Sequence, residues 1–250
     1  MVEPTLLATA LTASIAAGTF LAAGMNLRRA DASPAAQEAL ALFSLWWVAL
    51  AVYAVAGATL DLSAALGVSA AGPAMVLRFA QAVALCIGLW GLMYYVAFIL
   101  TGRRAFLPVL AVFYALYYGA IVFYLTLGKP VAVAAEAWRA RIAYESPAVT
   151  AAAGTLLLVL PPLVASATYL LVLVKAKELT RRWRIVLVAL STVAWFVAVL
   201  LRDGEGGPLG ALAPVLALLS ASAITWAYRP PAWVSRRLAA RSLAAEAAAD

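Results

Sequence analysis

The chain has 250 residues, 66% of them hydrophobic and only 12% charged, with a formal charge of +7 and a mean hydropathy of +0.98. Soluble domains sit near about 45–50% apolar and about 25% charged, and a fold of this size leaves roughly a third of its unfolded surface exposed, so water is excluded as the only solvent. A backbone in lipid must satisfy its own hydrogen bonds, as helices or a closed barrel do. The continuous Ala- and Leu-rich runs lack the alternating polarity of barrel strands, and the expected class is all-α.

Windows of about 20 apolar residues, the length that crosses a bilayer, occur seven times. The first, about 5–25, ends at Asn26-Leu27-Arg28-Arg29. Glu3 is the only charged side chain before it, so it lacks the basic region of a secretory leader and reads as a span, despite the small residues Ala22-Ala23-Gly24. A polar linker, 28–38, precedes the second expected span, about 39–60, which Asp61 closes. A small-residue loop leads to the third, about 74–100, ending in Thr101-Gly102-Arg103-Arg104, and the fourth, about 105–127, ends in Gly128-Lys129-Pro130. The segment 131–147 is too polar to span. In it Ala135, Trp138, Ile142 and Glu145 recur at spacings of three and four, which predicts a short helix on the membrane surface. The fifth expected span, about 149–174, contains Pro161-Pro162 and should kink there. A basic stretch, 175–184, leads into the sixth, about 183–201; a tight polar turn at 202–207 leads into the seventh, about 208–228. The tail, 233–250, is Ala-rich and reads as helical for a few turns.

Thirteen of the eighteen Lys and Arg residues fall in alternate loops with the tail, against five on the opposite side. The positive-inside rule then gives an outside N-terminus and a cytoplasmic C-terminus. The net charge is thereby explained by topology, with no nucleic-acid partner implied. The expected setting is a multi-pass position in the cell (inner or plasma) membrane, with the lipid bilayer as the first partner.

Histidine is absent. That removes histidine-ligated haem, histidine zinc sites and Ser-His-Asp catalysis. Cys86 stands alone, which leaves no disulfide framework or paired-thiol metal site. No phosphate-cradling Gly-rich loop, metal-ligand spacing or catalytic carboxylate pair occurs, and the spans as drawn contain no Asp or Glu to relay protons. The expectation is a non-enzymatic protein without a cofactor.

Four sets of residues remain as candidates. Arg78 lies about one turn into the third span; a charge in lipid costs a few kcal/mol and usually faces a bundle interior. It reads as an anion-binding cation of an outer vestibule, with Asp61 as its partner, or as a guanidinium snorkelling to the interface. Trp46, Trp90, Tyr94, Tyr114, Tyr117 and Trp195 read as the lining of an apolar ligand pocket, or as packing and interfacial belt. Ser220, with Ser222, Ser191 and Thr192, suits a polar ligand contact or interhelical hydrogen bonds. Lys175, Lys177, Arg181, Arg182 and Arg184 suit a cytoplasmic partner or anionic lipid head groups, or serve as topogenic charge.

Two family resemblances follow. Arg78-Phe79-Ala80-Gln81 resembles the third-helix motif of microbial rhodopsins, in which an Arg precedes the counter-ion by three; here that position is the neutral Gln81. The family carries retinal on a lysine in its seventh helix. Residues 214–228 contain no lysine, Ser220 to Ser222 taking its place, and Lys175 and Lys177 lie at the end of span five. This resemblance therefore implies a bundle without covalent retinal. The stretch 95–104, YVAFILTGRR, resembles the end of the third helix in the seven-helix N-terminal sensor region of bacterial histidine kinases and related signalling proteins. There a Phe-rich helix ends in Tyr-Thr-Gly-Arg. The likeness covers nearly the whole chain, without the output domain that follows in that family. It implies a sensor- or receptor-like module, or a scaffold, that binds a small apolar ligand and signals through a partner, with Arg78 and Gln81 among the candidate ligand contacts. A small-solute or lipid transporter is the alternative, drawn from Pro161-Pro162 and Arg78 and opposed by the absence of an evident inverted repeat.

Overall fold

Each long apolar run among the described residues forms a helix, the one local structure that satisfies a lipid-facing N–H and C=O within its own segment. The structure, a computed structural model, describes residues 4–28, 34–68, 71–101, 130–149, 152, 160–176, 178–203 and 208–247. Helix α1 is Pro4–Arg28, α2 is Pro34–Ala65 and α3 is Ala71–Thr101. Strands β1 (Pro130–Glu136) and β2 (Arg139–Tyr144) follow, then α4 (Leu160–Lys175) and α5 (Leu179–Asp203). A 3-10 turn, Pro208–Ala211, leads into α6 (Leu212–Tyr228), and α7 (Ala232–Ala247) forms the tail. Pro4 and Pro34 each open a helix, where the missing N–H removes a donor that would be orphaned anyway. Pro161-Pro162 likewise fall in the first turn of α4.

Among the described residues, five helices are long and apolar enough to cross a membrane: Pro4–Arg28, Ala36–Ala65, Gly72–Phe98, Leu179–Arg202 and Leu209–Tyr228. The chain is thus a mostly helical protein of the membrane-embedded kind. The expected fourth span, 105–127, and the first part of the fifth lie outside the described residues. So do Tyr114, Tyr117 and Lys177. The elements outrun their sequence boundaries because polar residues at the span ends stay helical. Helix α2 keeps Glu38 and Asp61 inside its 32 residues, about 48 Å at about 1.5 Å per residue, against a hydrocarbon thickness of about 30 Å. Helix α5 takes in Arg202 and Asp203, which the sequence reading placed in a turn.

The helices form a closed sequence of neighbours: α3 against α2, α2 against α1, α1 against α6, α6 against α5, α5 against α4, and α4 back to α3. Glycines set the closest approaches. A Cβ on Gly91 would collide with the Leu42 carbonyl, and one on Gly88 would press on Ala49 and Trp46, as small residues at membrane helix contacts permit. The interior is aromatic. Trp195 meets Phe20 edge-on at 5.2 Å and Tyr53 at 5.5 Å, Trp46 stacks on Phe196 at 5.8 Å, and Phe43 stacks on Tyr95 at 4.2 Å. The outward faces are apolar as well, with Leu11, Ile15, Val55, Leu170, Val174, Leu190 and Leu219 exposed. A helix apolar on both faces is a membrane helix rather than a surface helix of a soluble fold.

The segment 131–147 corrects the expectation of a surface helix, and with it the purely all-α class. It is an antiparallel hairpin with Val133 opposite Ile142 and Glu136 opposite Arg139. Its period is two: Arg139 and Arg141 alternate with Ala140, Ile142 and Tyr144, and β-branched and aromatic residues suit a pleated, half-buried surface. The two-residue turn places Trp138 at φ 74°, a left-handed conformation that costs an L residue about 1–2 kcal/mol. Val133, Ala140 and Ile142 pack on Leu6, Leu60 and Ala74, so the hairpin seats on one end of α1, α2 and α3. This is the hairpin end. The opposite end, with Arg28, Lys175, Arg181, Arg184 and the start of α7, is the basic end.

Candidate functional site

At the hairpin end a cleft opens between α1, α2, α5 and α6. Its walls are small: Ala13 and Ala16 from α1, Ala54 from α2, Ala198 and Val199 from α5, Ala217 from α6. Tyr53 and Trp195 form its inner side, Trp138 of the hairpin turn covers it, and Arg202 joins the lining. The enclosed space is small, about 40 Å³, and widens at an open mouth. Alanines at helical spacing make it, because side chains of one carbon leave a gap where four helices converge. Trp195 is buried, and its indole N–H has no hydrogen-bond partner among the described residues. The lining is mainly apolar, with Thr9, Tyr53, Trp138 and Trp195 carrying its uncharged polar groups and Arg202 a guanidinium.

A polar network fastens the cover. Asp61 is fully buried and accepts from Arg202 Nη2 at 2.9 Å and from the Ala140 N–H at 2.8 Å. The same Nη2 also donates to the Gly57 carbonyl at 3.2 Å. A Cβ on Gly57 would lie 2.9 Å from the guanidinium and push the Arg202 tip aside. From the hairpin, Arg139 donates through Nη1 to the Arg202 carbonyl at 2.7 Å and through Nε to Glu136 at 2.8 Å. Arg141 reaches the other Glu136 oxygen at 3.1 Å. Partial burial of Glu136 raises its carboxyl pKa, but the hydrogen bonds and charges of Arg139 and Arg141 outweigh that and hold it below its ordinary value. One chain of contacts thus ties β2 to α2 and to the end of α5.

The expected pairing of Arg78 with Asp61 is corrected: Arg202 holds Asp61 instead. Arg78 donates through Nε to the Tyr144 hydroxyl at 3.0 Å and through Nη1 to Gln81 at 3.1 Å. Gln81 is buried and donates to the Tyr53 carbonyl at 3.1 Å. Arg78 and Gln81 thereby support the hairpin and the Tyr53 wall from outside the cleft. Of the aromatic candidates Trp195 lines the cleft, while Trp46 is fully buried in the core, Trp90 packs partly buried against it, and Tyr94 lies 3.5 Å from Glu38 near the basic end. Ser220 does not reach the cleft lining: its hydroxyl donates to the Ser191 carbonyl at 2.7 Å, and Ser191 donates to the Ser220 carbonyl at 2.6 Å. This reciprocal pair joins α5 to α6 at mid-bundle.

In the basic stretch Lys175 ends α4, Arg182 donates to the Ala176 carbonyl at 2.8 Å, and Arg181 and Arg184 line a second cavity. Sequence reasoning missed Tyr53, Asp61, Trp138 and Arg202 as parts of one site. Trp138 carried the one usable signal, an aromatic residue at the centre of a polar segment. Among the described residues no cluster of His, Cys, Asp or Glu is arranged to hold a metal ion. Comparison with protein families, with curated proteins and with solved structures finds no match.

Proposed function

We propose that this chain is a non-enzymatic, receptor-like seven-span membrane module that takes a small apolar or amphipathic ligand into the hairpin-end cleft. In this reading the hairpin end faces outward and the basic end faces the cytoplasm, as the distribution of Lys and Arg implies. Ligand occupancy passes to a signalling partner through the basic face, the arrangement that the sensor-like stretch YVAFILTGRR also implies. The observation that carries the reading is the alanine-walled cleft with Trp195 inside and Trp138 over it. An apolar ligand there would gain about 25 cal/mol for each Å² removed from water. The unpartnered Trp195 N–H would meet an acceptor atom, and Arg202 would meet a polar tail.

The test is tryptophan quenching by bromobenzene, a small apolar heavy-atom probe, with the protein in lipid nanodiscs. The expected curve has a saturable component above the linear background of partition into lipid. Ala13→Leu and Ala217→Leu, which fill the cleft with apolar atoms, remove the saturable part. A curve that is linear in the unsubstituted protein ends the proposal.

A further inference from the structure

At the basic end, α3, α4, α5 and α6 converge on a second cavity whose chemistry is opposite to that of the first. Tyr95, Tyr169 and Tyr228 line it from three helices, together with Arg181 and Arg184 from the first turns of α5. Tyr169 is 3% exposed, and its hydroxyl, like that of Tyr228, is buried without a hydrogen bond of ordinary geometry among the described residues. Thr192 lies beside the first hydroxyl and Tyr95 beside the second, each within reach of a weak hydrogen bond. Thr192 donates to the Val188 carbonyl at 2.9 Å, so toward Tyr169 it can only accept. Buried hydroxyls without well-formed hydrogen bonds are uncommon, because their lost hydration is not replaced. Two of them in one cavity, beside two guanidiniums, leave donor capacity for a ligand. Arg184 is also fixed in place, its guanidinium carbon 5.2 Å from the centre of the Tyr228 ring.

We infer that this cavity binds a phosphate group. The group fits on three counts. Its oxygens accept several hydrogen bonds at once, which the Tyr169 and Tyr228 hydroxyls supply from within. Its charge matches Arg181 and Arg184, and guanidiniums pair with phosphate by parallel N–H bonds. The cavity lies where a membrane helix meets the head-group layer, at the basic end of α5 and α6, and its remaining lining, Val172 and Ile185 among it, suits the glycerol and first methylenes of a lipid. Either a phospholipid head group or soluble phosphate would offer this chemistry. Nothing in the inference depends on the ligand proposed for the hairpin end.

The experiment uses the full chain in maltoside detergent. Phosphatidate is titrated and its bound copies are counted by native mass spectrometry; inorganic phosphate is titrated separately and followed by broadening of its phosphorus resonance. The expected result is saturable phosphatidate binding that weakens about tenfold in Tyr169→Phe and in Arg184→Gln, the smaller loss typical of a hydrogen bond to a charged group. Arg236→Gln, on the exposed face of α7, leaves it unchanged. Tyr169→Phe and Tyr228→Phe remove one oxygen each and keep the packing, so binding lost in them at unaltered melting temperature reports on the site. Saturable inorganic phosphate binding with the same dependence assigns the site to the soluble ion. Failure of both ligands to bind, or binding that no Tyr or Arg substitution alters, overturns the inference.

Discussion

The two ends of this bundle solve the problem of buried polarity in opposite ways. At the hairpin end every charged group of the network has a partner on another element: Asp61 with Arg202 and Ala140, Arg139 with Glu136 and the Arg202 carbonyl. The cleft beneath is left apolar. At the basic end two buried hydroxyls make no hydrogen bond of ordinary geometry among the described residues, and the cations beside them are exposed. A satisfied network fixes geometry and holds a cover in place. An unsatisfied one has donors to spare for a ligand. The hairpin end is built to enclose, and the basic end to attract.

The sharpest way to break this contrast is to unpair the satisfied end. Arg202→Met leaves Asp61 buried without its cation, and removing one partner of a buried pair costs about 3–5 kcal/mol. We expect a large fall in melting temperature in detergent, with the hairpin becoming accessible to protease. Asp61→Leu combined with Arg202→Met should recover much of that loss, since an apolar pair carries no desolvation penalty. Arg184→Gln at the other end should leave the melting temperature close to the original. Equal losses at the two ends would remove the distinction.

These contacts show how far the sequence was legible. The helices were readable because apolar runs of span length have few alternatives in lipid, and Trp195 was readable as a mid-span aromatic. Asp61 and Arg202 were not, being 141 residues apart and each at a span end, where a charge ordinarily meets water. The hairpin was misjudged because an Ala-rich segment satisfies helical and strand periodicities at once; the alternation of Arg139 and Arg141 with Ile142 and Tyr144 was the better guide. Tyr169 and Tyr228 were hidden for another reason. A tyrosine near a span end ordinarily belongs to the interfacial belt, and only packing shows that its hydroxyl has turned inward.

Trp138 sharpens the contrast from the side of function. Trp138→Gly relieves a left-handed turn residue while removing the cover, so the two effects on stability oppose and the net change should stay within about 1 kcal/mol. Saturable bromobenzene quenching should nevertheless weaken severalfold. Tyr228→Phe should not affect it. A Trp138→Gly protein that retains full quenching would mean that the hairpin turn is a bystander.

Between the ends, the reciprocal Ser191–Ser220 bonds give a neutral reference. Ser191→Ala and Ser220→Ala should each lower stability by about 0.6 kcal/mol, the mean for interhelical hydrogen bonds in a membrane bundle. The double substitution should cost less than the sum, since the two residues bond each other. Neither should change quenching at one end or phosphatidate binding at the other. A change in either would show that the two ends communicate through the α5–α6 contact.

The smallest effect concerns pH. Glu136 has its carboxyl held below the ordinary value of 4.5 by Arg139 and Arg141 against the opposing effect of burial. A depressed carboxylate contributes stability that is fully present above its unfolded value and is lost as pH falls through its folded value. The Glu136 contribution should therefore fall only below about pH 4.5. Glu136 is partly exposed, so the loss should match a surface ion pair, about 0.2–1 kcal/mol. Melting curves between about pH 6 and about pH 3 check it: the native protein should lose slightly more stability over that window than Glu136→Gln, whose amide does not titrate. The difference should shrink in high salt, because screening weakens an exposed pair. A Glu136→Gln protein with the same acid profile as the native one would show that Glu136 does not anchor the hairpin, and that Asp61 and Arg202 hold it alone.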